Sequence, residues 1–209
     1  MPLEKQHIKG IAVLVVLAAA FGWWRTRRTG EEDFVRAHES LRSVKSFRVR
    51  SVYGGGQSSL ASYECPGSIH TIRQSGSGVD DEQIQVGGDF CYRDPESKAW
   101  VRGTPPDPPD ATCSQLARGA TTAPFPPLLE MSRRALFRQG SVVKAGDTKC
   151  REWNLQITHP LGTRKAVVCL GVDDFLPRRW VEDGSETTFF DYNKAMDIRA
   201  PQGAVALEQ

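Results

Sequence analysis

The chain has 209 residues, with 27 basic against 25 acidic side chains and 39% hydrophobic residues. That length suffices for one domain with a sizeable core. The even charge excludes the basic stripe that nucleic-acid binding needs. Residues 1–30 hold five of the basic residues and one acid, so the remainder carries 22 basic against 24 acidic, the balance of a solvated domain. No internal repeat is present.

The first element is an uncharged run from Gly10 to Trp24. It is short for a spanning helix and close to a signal-peptide core. No small-x-small cleavage site follows it. It ends in Phe21, Trp23 and Trp24, then Arg25, Arg27 and Arg28, as a retained anchor does at the membrane interface. Residues 1–30 are therefore expected to be a membrane anchor or uncleaved signal segment. Basic residues on both sides leave the orientation undecided. Five cysteines without a CxxC favour the oxidising, exported side, because disulfides persist there.

The domain itself is expected over residues 31–201. Glu31 to Lys45 reads as a helix: Glu31, Glu32 and Asp33 suit its positive end, and Phe34, Leu41 and Val44 would face the core. After Ser46 the hydrophobic period becomes two. Phe47 to Tyr53, Ser58 to Cys65, Ile69 to Gln74, Glu82 to Val86, Asp89 to Arg93 and Ala99 to Arg102 read as neighbouring antiparallel strands. Gly54-Gly55-Gly56 and Gly87-Gly88 supply turns between them.

Thr104 to Pro127 holds seven prolines and cannot be a central strand. It is either a plain connection or a structured loop over a binding site. Leu128 to Arg138 reads as a second helix, with Leu128, Leu129, Ala135 and Leu136 free to pack. A second meander follows: Glu152 to Thr158, Thr163 to Leu170, Arg178 to Glu182 and Glu186 to Tyr192. If Cys150 faces Cys169, then Trp153 faces Ala166 and Leu155 faces Arg164. Cys150, Glu152, Asn154, Lys165, Val167 and Cys169 then share a polar face. Trp153, Leu155, Ile157, Ala166, Val168 and Leu170 share an apolar one. That consistency makes Cys150–Cys169 the favoured disulfide. Cys91 with Cys113 would staple the proline-rich loop to the sheet and leave Cys65 odd; Cys65 with either of them is equally open. The tail from Gln202 to Gln209 has the composition of a disordered end.

Little in the chain points to catalysis. His7, His38, His70 and His159 form no HExxH or HxxxH pattern, and Cys65 and His70 do not make a zinc site. Phosphate-loop, dinucleotide and nucleophile-elbow motifs are absent. Asp80-Asp81 and Asp173-Asp174 read as solvated turn residues. The expectation is no enzyme, no cofactor and no metal. What remains is an aromatic and aliphatic set spread over many strands: Phe47, Val49, Ile84, Val86, Phe90, Trp100, Trp153, Leu155, Ile157, Trp180 and Phe189, with Leu128, Leu129 and Leu136 from the second helix. These residues line either a plain core or a cavity for an apolar ligand.

Several fragments taken in order resemble one superfamily. They are Leu41 to Val49, Ile84 to Tyr92 with Ala99-Trp100, Gly146 to Cys150, Leu176 to Trp180, and Thr187 to Asn193 with Ile198 and Pro201. Over roughly residues 34–201 the chain resembles the LolA-like and LppX–LprG-like superfamily of periplasmic lipoprotein carriers and lipid-binding lipoproteins. The resemblance implies a mainly β (α+β) fold: a strongly curved antiparallel half-barrel with helices plugging its open face, here behind an N-terminal membrane helix. It implies binding of lipid or lipoprotein acyl chains between sheet and helices, with no enzymatic step. The chain departs from the family in lacking a lipobox cysteine and in keeping its anchor. The expected function is a membrane-tethered acyl-chain binder on the exported side. The alternative is an envelope interaction or sensor module that engages another envelope protein. The expected location is the inner membrane, by a single N-terminal pass, with the domain facing the periplasm or cell exterior.

Overall fold

A computed structural model describes residues 30–107, 110, 113, 135–159 and 162–206. Residues 30–42 form a helix, α1. Twelve strands follow: β1 (Ser46–Val52), β2 (Ser58–Glu64), β3 (Ser68–Ser75), β4 (Gly78–Val86), β5 (Asp89–Arg93), β6 (Trp100–Gly103), β7 (Ala135–Ala145), β8 (Thr148–His159), β9 (Gly162–Gly171), β10 (Pro177–Glu182), β11 (Ser185–Phe190) and β12 (Val205–Ala206). They make one open, curved sheet in the order β12-β6-β5-β4-β3-β2-β1-β11-β10-β9-β8-β7. The first and last strands of that order are not paired with each other, so the barrel is left open. All neighbours are antiparallel except β12, which runs parallel to β6.

Period-two patterning builds these strands. In β1, Phe47, Val49 and Ser51 are buried while Arg50 and Val52 are exposed. Phe47 pairs with Tyr63, Val49 with Ala61 and Phe189, and Ser51 with Thr187. The inner face so defined meets α1, whose Phe34, Ala37 and Leu41 join Phe47, Trp153, Val168 and Phe189 in one core. Phe34 and Phe137 have ring centroids 5.0 Å apart, and Phe137 meets Trp153 edge-on at 6.4 Å. A Cβ on Gly30 would stand 2.6 Å from Phe137 Cβ, so the start of α1 lies directly on β7. Between β10 and β11, Asp183 (φ 48°) and Gly184 (φ 78°) turn the chain in two residues, both in the left-handed region such tight hairpins require.

The structure corrects several expectations. Ala135–Arg138 is not the end of a helix but the start of β7, the longest described edge of the sheet. Ala135 and Phe137 are buried and Leu136 and Arg138 exposed, a strand pattern that the neighbouring leucines disguise. The rest of that expected helix lies outside the described residues. The tail contributes β12 instead of being unstructured throughout. In the β8–β9 hairpin, Trp153 pairs with Val168 and Leu155 with Ala166, two residues from the expected register. A slip of two leaves every side chain on its expected face. The Cys150–Cys169 disulfide is formed, with Cα atoms 5.4 Å apart, and it spans the hairpin diagonally because Cys150 pairs with Gly171. The second disulfide is Cys65–Cys113, and Cys91 is the free thiol.

Residues 1–29, and with them the expected anchor, lie outside the described residues. Among those described, no helix is long and apolar enough to cross a membrane.

Candidate functional site

The inner face falls into two halves. On β1, β2 and β7 to β11 it is a filled core. Phe47, Val49, Trp153, Leu155, Trp180 and Phe189 are each 4% exposed or less, and Ile157 packs against them. Six of the expected lining residues are thus wholly buried under α1. Arg151 also belongs to the inner face of β8, where its charge acts on Asp33 of α1. Burial holds the Asp33 carboxyl above its ordinary value; Arg151 and Arg36 pull it back, and Glu32 pushes it up.

On β3 to β6 the inner face differs. The registers Tyr63↔Ile69, Ile69↔Gln85, Gln85↔Phe90 and Tyr92↔Val101 carry it across the strands. Its residues are Ile69, Thr71, Gln83, Gln85, Phe90, Tyr92 and Val101, and most are only half-buried. Phe90 lies over Gly103, where a Cβ would come within 3.1 Å of the ring, and its centroid is 6.2 Å from that of Tyr92. Ile84, Val86 and Trp100, expected to line the same cavity, point the opposite way. They sit on the outer face, where Arg93 stacks on Trp100 at 5.1 Å and pairs with Glu82 at 2.9 Å, which also meets His70. Leu136 is on the outer face too, at 42% exposure. Leu128 and Leu129 lie outside the described residues.

A strap crosses this second half. Gln85 is 2% exposed, and its amide donates to the Asp107 carbonyl at 2.8 Å and the Gly87 carbonyl at 3.2 Å. Its Oε1 has no partner among the described residues. Asp107 also acts on Tyr63, whose phenol is pushed up chiefly by burial and then by this carboxylate. Burial raises Asp107 itself. Six residues on, Cys113 is buried and bonded to Cys65 in the β2–β3 turn. Residues 104–107 therefore run from β6 to the Gln85 amide, and Cys113 is fastened to the β2–β3 turn. Sequence reading missed Gln85, Tyr63, Tyr92 and Asp107. Only the prolines and the odd number of cysteines hinted at a fastened loop.

On the outer face, a trough of about 820 Å³ crosses β7 to β10. Leu136, Val167 and Val181 floor it, and Arg138, Asn154, Gln156, Lys165 and Asp183 rim it. Cys91 is 2% exposed and its thiol is pushed up by burial, which leaves it a poor nucleophile. No group of three or more metal-ligating side chains occurs among the described residues.

No family model and no curated protein matches the sequence. Solved structures do. LprF from Mycobacterium bovis superposes with a TM-score of 0.56 at 8% identity, over 83% of this chain and 97% of that one. The chain shares the fold of LprF. The MucA/MucB complex of Pseudomonas aeruginosa also superposes, with a TM-score of 0.50 at 12% identity over 83% of this chain. The chain spans 61% of the length of that structure. In this open, curved sheet the inner face of β3 to β6 is the part that is neither filled by α1 nor plainly exposed.

Proposed function

We propose that the domain binds acyl chains of a lipid or lipoprotein on the exported side of a membrane, without catalysis, tethered there through residues 1–30. The observation that carries the reading is the half-buried strip Phe90, Tyr92 and Val101 beside buried Tyr63 and Ile69, beneath a strap fastened by Cys65–Cys113. Burying an alkyl chain there yields about 0.8 kcal/mol per methylene, so firm retention needs few polar contacts. Two disulfides favour an oxidising compartment. The test is native mass spectrometry of the full chain, followed by organic extraction and titration with a fluorescent fatty acid. A co-purifying lipid mass and saturable probe binding are expected. A clean apo mass with no probe uptake overturns the reading. A second reading, an envelope interaction or sensor module on the same fold, is favoured by the β7 edge, which has no strand partner among the described residues, and by the trough beside it.

A further inference from the structure

Among the described polar side chains of β3 to β6, only Gln85 is shut off from water: it is 2% exposed, between Ile69 and Phe90 on the inner face. Its amide nitrogen donates to the Gly87 carbonyl at 3.2 Å and the Asp107 carbonyl at 2.8 Å. Those two bonds fix which way the amide faces, because turning it over would set Oε1 against two carbonyl oxygens. Oε1 is therefore held as an acceptor, turned from both carbonyls, buried and with no partner among the described residues. A buried acceptor without a donor is rare in folded chains and costs stability. It is already out of water before any ligand arrives. A donor that reaches it gains a hydrogen bond against the loss of its own hydration alone.

Charge narrows the ligand. The inner positions around Gln85 are Tyr63, Ile69, Thr71, Gln83, Phe90 and Tyr92, and none is cationic. The nearest cation on the inner positions of β3 is Arg73, within 3.9 Å of Asp81. It stands four residues from Ile69, about 13 Å along a strand. Burial raises the Asp107 carboxyl, and no described cation offsets this. An ionised carboxylate or phosphate beside Oε1 would thus be buried without a counter-charge. A plain ester would leave Oε1 unpaired. An uncharged group bearing O–H or N–H meets both conditions.

We propose that Gln85 selects acyl ligands whose head carries an uncharged hydrogen-bond donor, a hydroxyl or an amide N–H, which bonds to Oε1. This inference rests on the acyl-chain reading and adds the head-group chemistry to it.

The test uses the full chain and displaces the fluorescent fatty acid at neutral pH with ligands that share one chain: 1-monopalmitoylglycerol, palmitamide, methyl palmitate and palmitate. The glycerol ester and the amide are expected to compete at least tenfold more tightly than methyl palmitate. Palmitate, held by its chain alone, should compete no more tightly than the methyl ester. The carbon-13 resonance of Gln85 Cδ should shift with the donor ligands and stay in place with methyl palmitate. In Gln85→Met the advantage of the donors should vanish; if that variant does not fold, the ligand series and the resonance decide on the unaltered chain. A gain for one of the two donors sustains the proposal and names the group as hydroxyl or N–H. Equal competition by the glycerol ester, the amide and the methyl ester overturns it and leaves acyl-chain binding standing. Tightest competition by palmitate, or an advantage that survives Gln85→Met, does the same. No probe binding, or displacement by none of the ligands, overturns both.

Discussion

The two halves of the inner face are built from the same strand period but solve burial differently. On β7 to β11, and on β1 and β2, α1 lays Phe34, Ala37 and Leu41 onto Trp153, Phe137 and Phe189, and water is excluded chiefly by apolar packing. On β3 to β6 the facing positions are Thr71, Gln83 and Gln85 as well as Phe90 and Tyr92. There the cover is a strap held by amide-to-carbonyl hydrogen bonds and a disulfide. A side chain lost from the first half leaves a cavity in a filled core. A side chain lost from the second half alters a surface already half open. The first half is the scaffold of the fold, and the second is where the proposed acyl chain would enter without unmaking it.

The largest expected effect sharpens that contrast. Trp153→Ala should cost about 4 kcal/mol in urea unfolding, as large aromatic deletions from filled cores do. Phe90→Ala should cost only about 1 kcal/mol, since its ring is half-buried, yet weaken fatty-acid probe binding several-fold. Equal costs would mean that the halves are one continuous core.

Removing the Cys65–Cys113 bridge by double substitution to Ser opens a loop of 48 residues, and chain entropy sets the loss at about 4 kcal/mol. Hydrogen exchange at Thr104 and Asp107 should rise and probe affinity should change at least tenfold. The same treatment of Cys150–Cys169, separated by 19 residues, should cost about 3 kcal/mol and leave probe affinity intact. If the second pair changes affinity as much as the first, the strap has no special role.

The smallest effect is in pH dependence. Burial holds Asp33 above the ordinary 3.8 in the folded chain. The unfolded chain therefore releases its proton first, and stability declines as pH rises from near 3.8 through the raised folded value. Asp33→Asn should remove that decline: Tm rises at pH 7 and is unchanged near pH 3. A lower Tm at pH 7 would show that the charge of Arg151 outweighs burial.

Much of this was readable before the structure. The first helix, β5 and the two faces of the β8–β9 hairpin follow from period alone, and the faces survive a two-residue register error because alternation has period two. The errors are equally physical. Ile84 and Val86 are apolar and so predict an inward orientation, but Gln83 and Gln85 hold the inner positions. The Gln85 amide is accommodated there by the Gly87 and Asp107 carbonyls, partners that no local pattern reveals. Trp100 is stabilised outward by Arg93 from the neighbouring strand. β7 was hidden because Leu136 follows a leucine-rich stretch, and only tertiary pairing with Leu155 and Ile157 makes Ala135–Phe137 extended. The Cys65–Cys113 pairing depends on where the strap crosses, which is a long-range fact.

The most direct test of acyl-chain binding under the strap is photocrosslinking of the full chain with a diazirine-bearing palmitate, read by peptide mass spectrometry. The account predicts adducts on β2 to β6, at Tyr63, Ile69, Phe90 and Tyr92, that an excess of unlabelled palmitate removes. Adducts confined to the outer-face trough, or none that palmitate competes away, would contradict it.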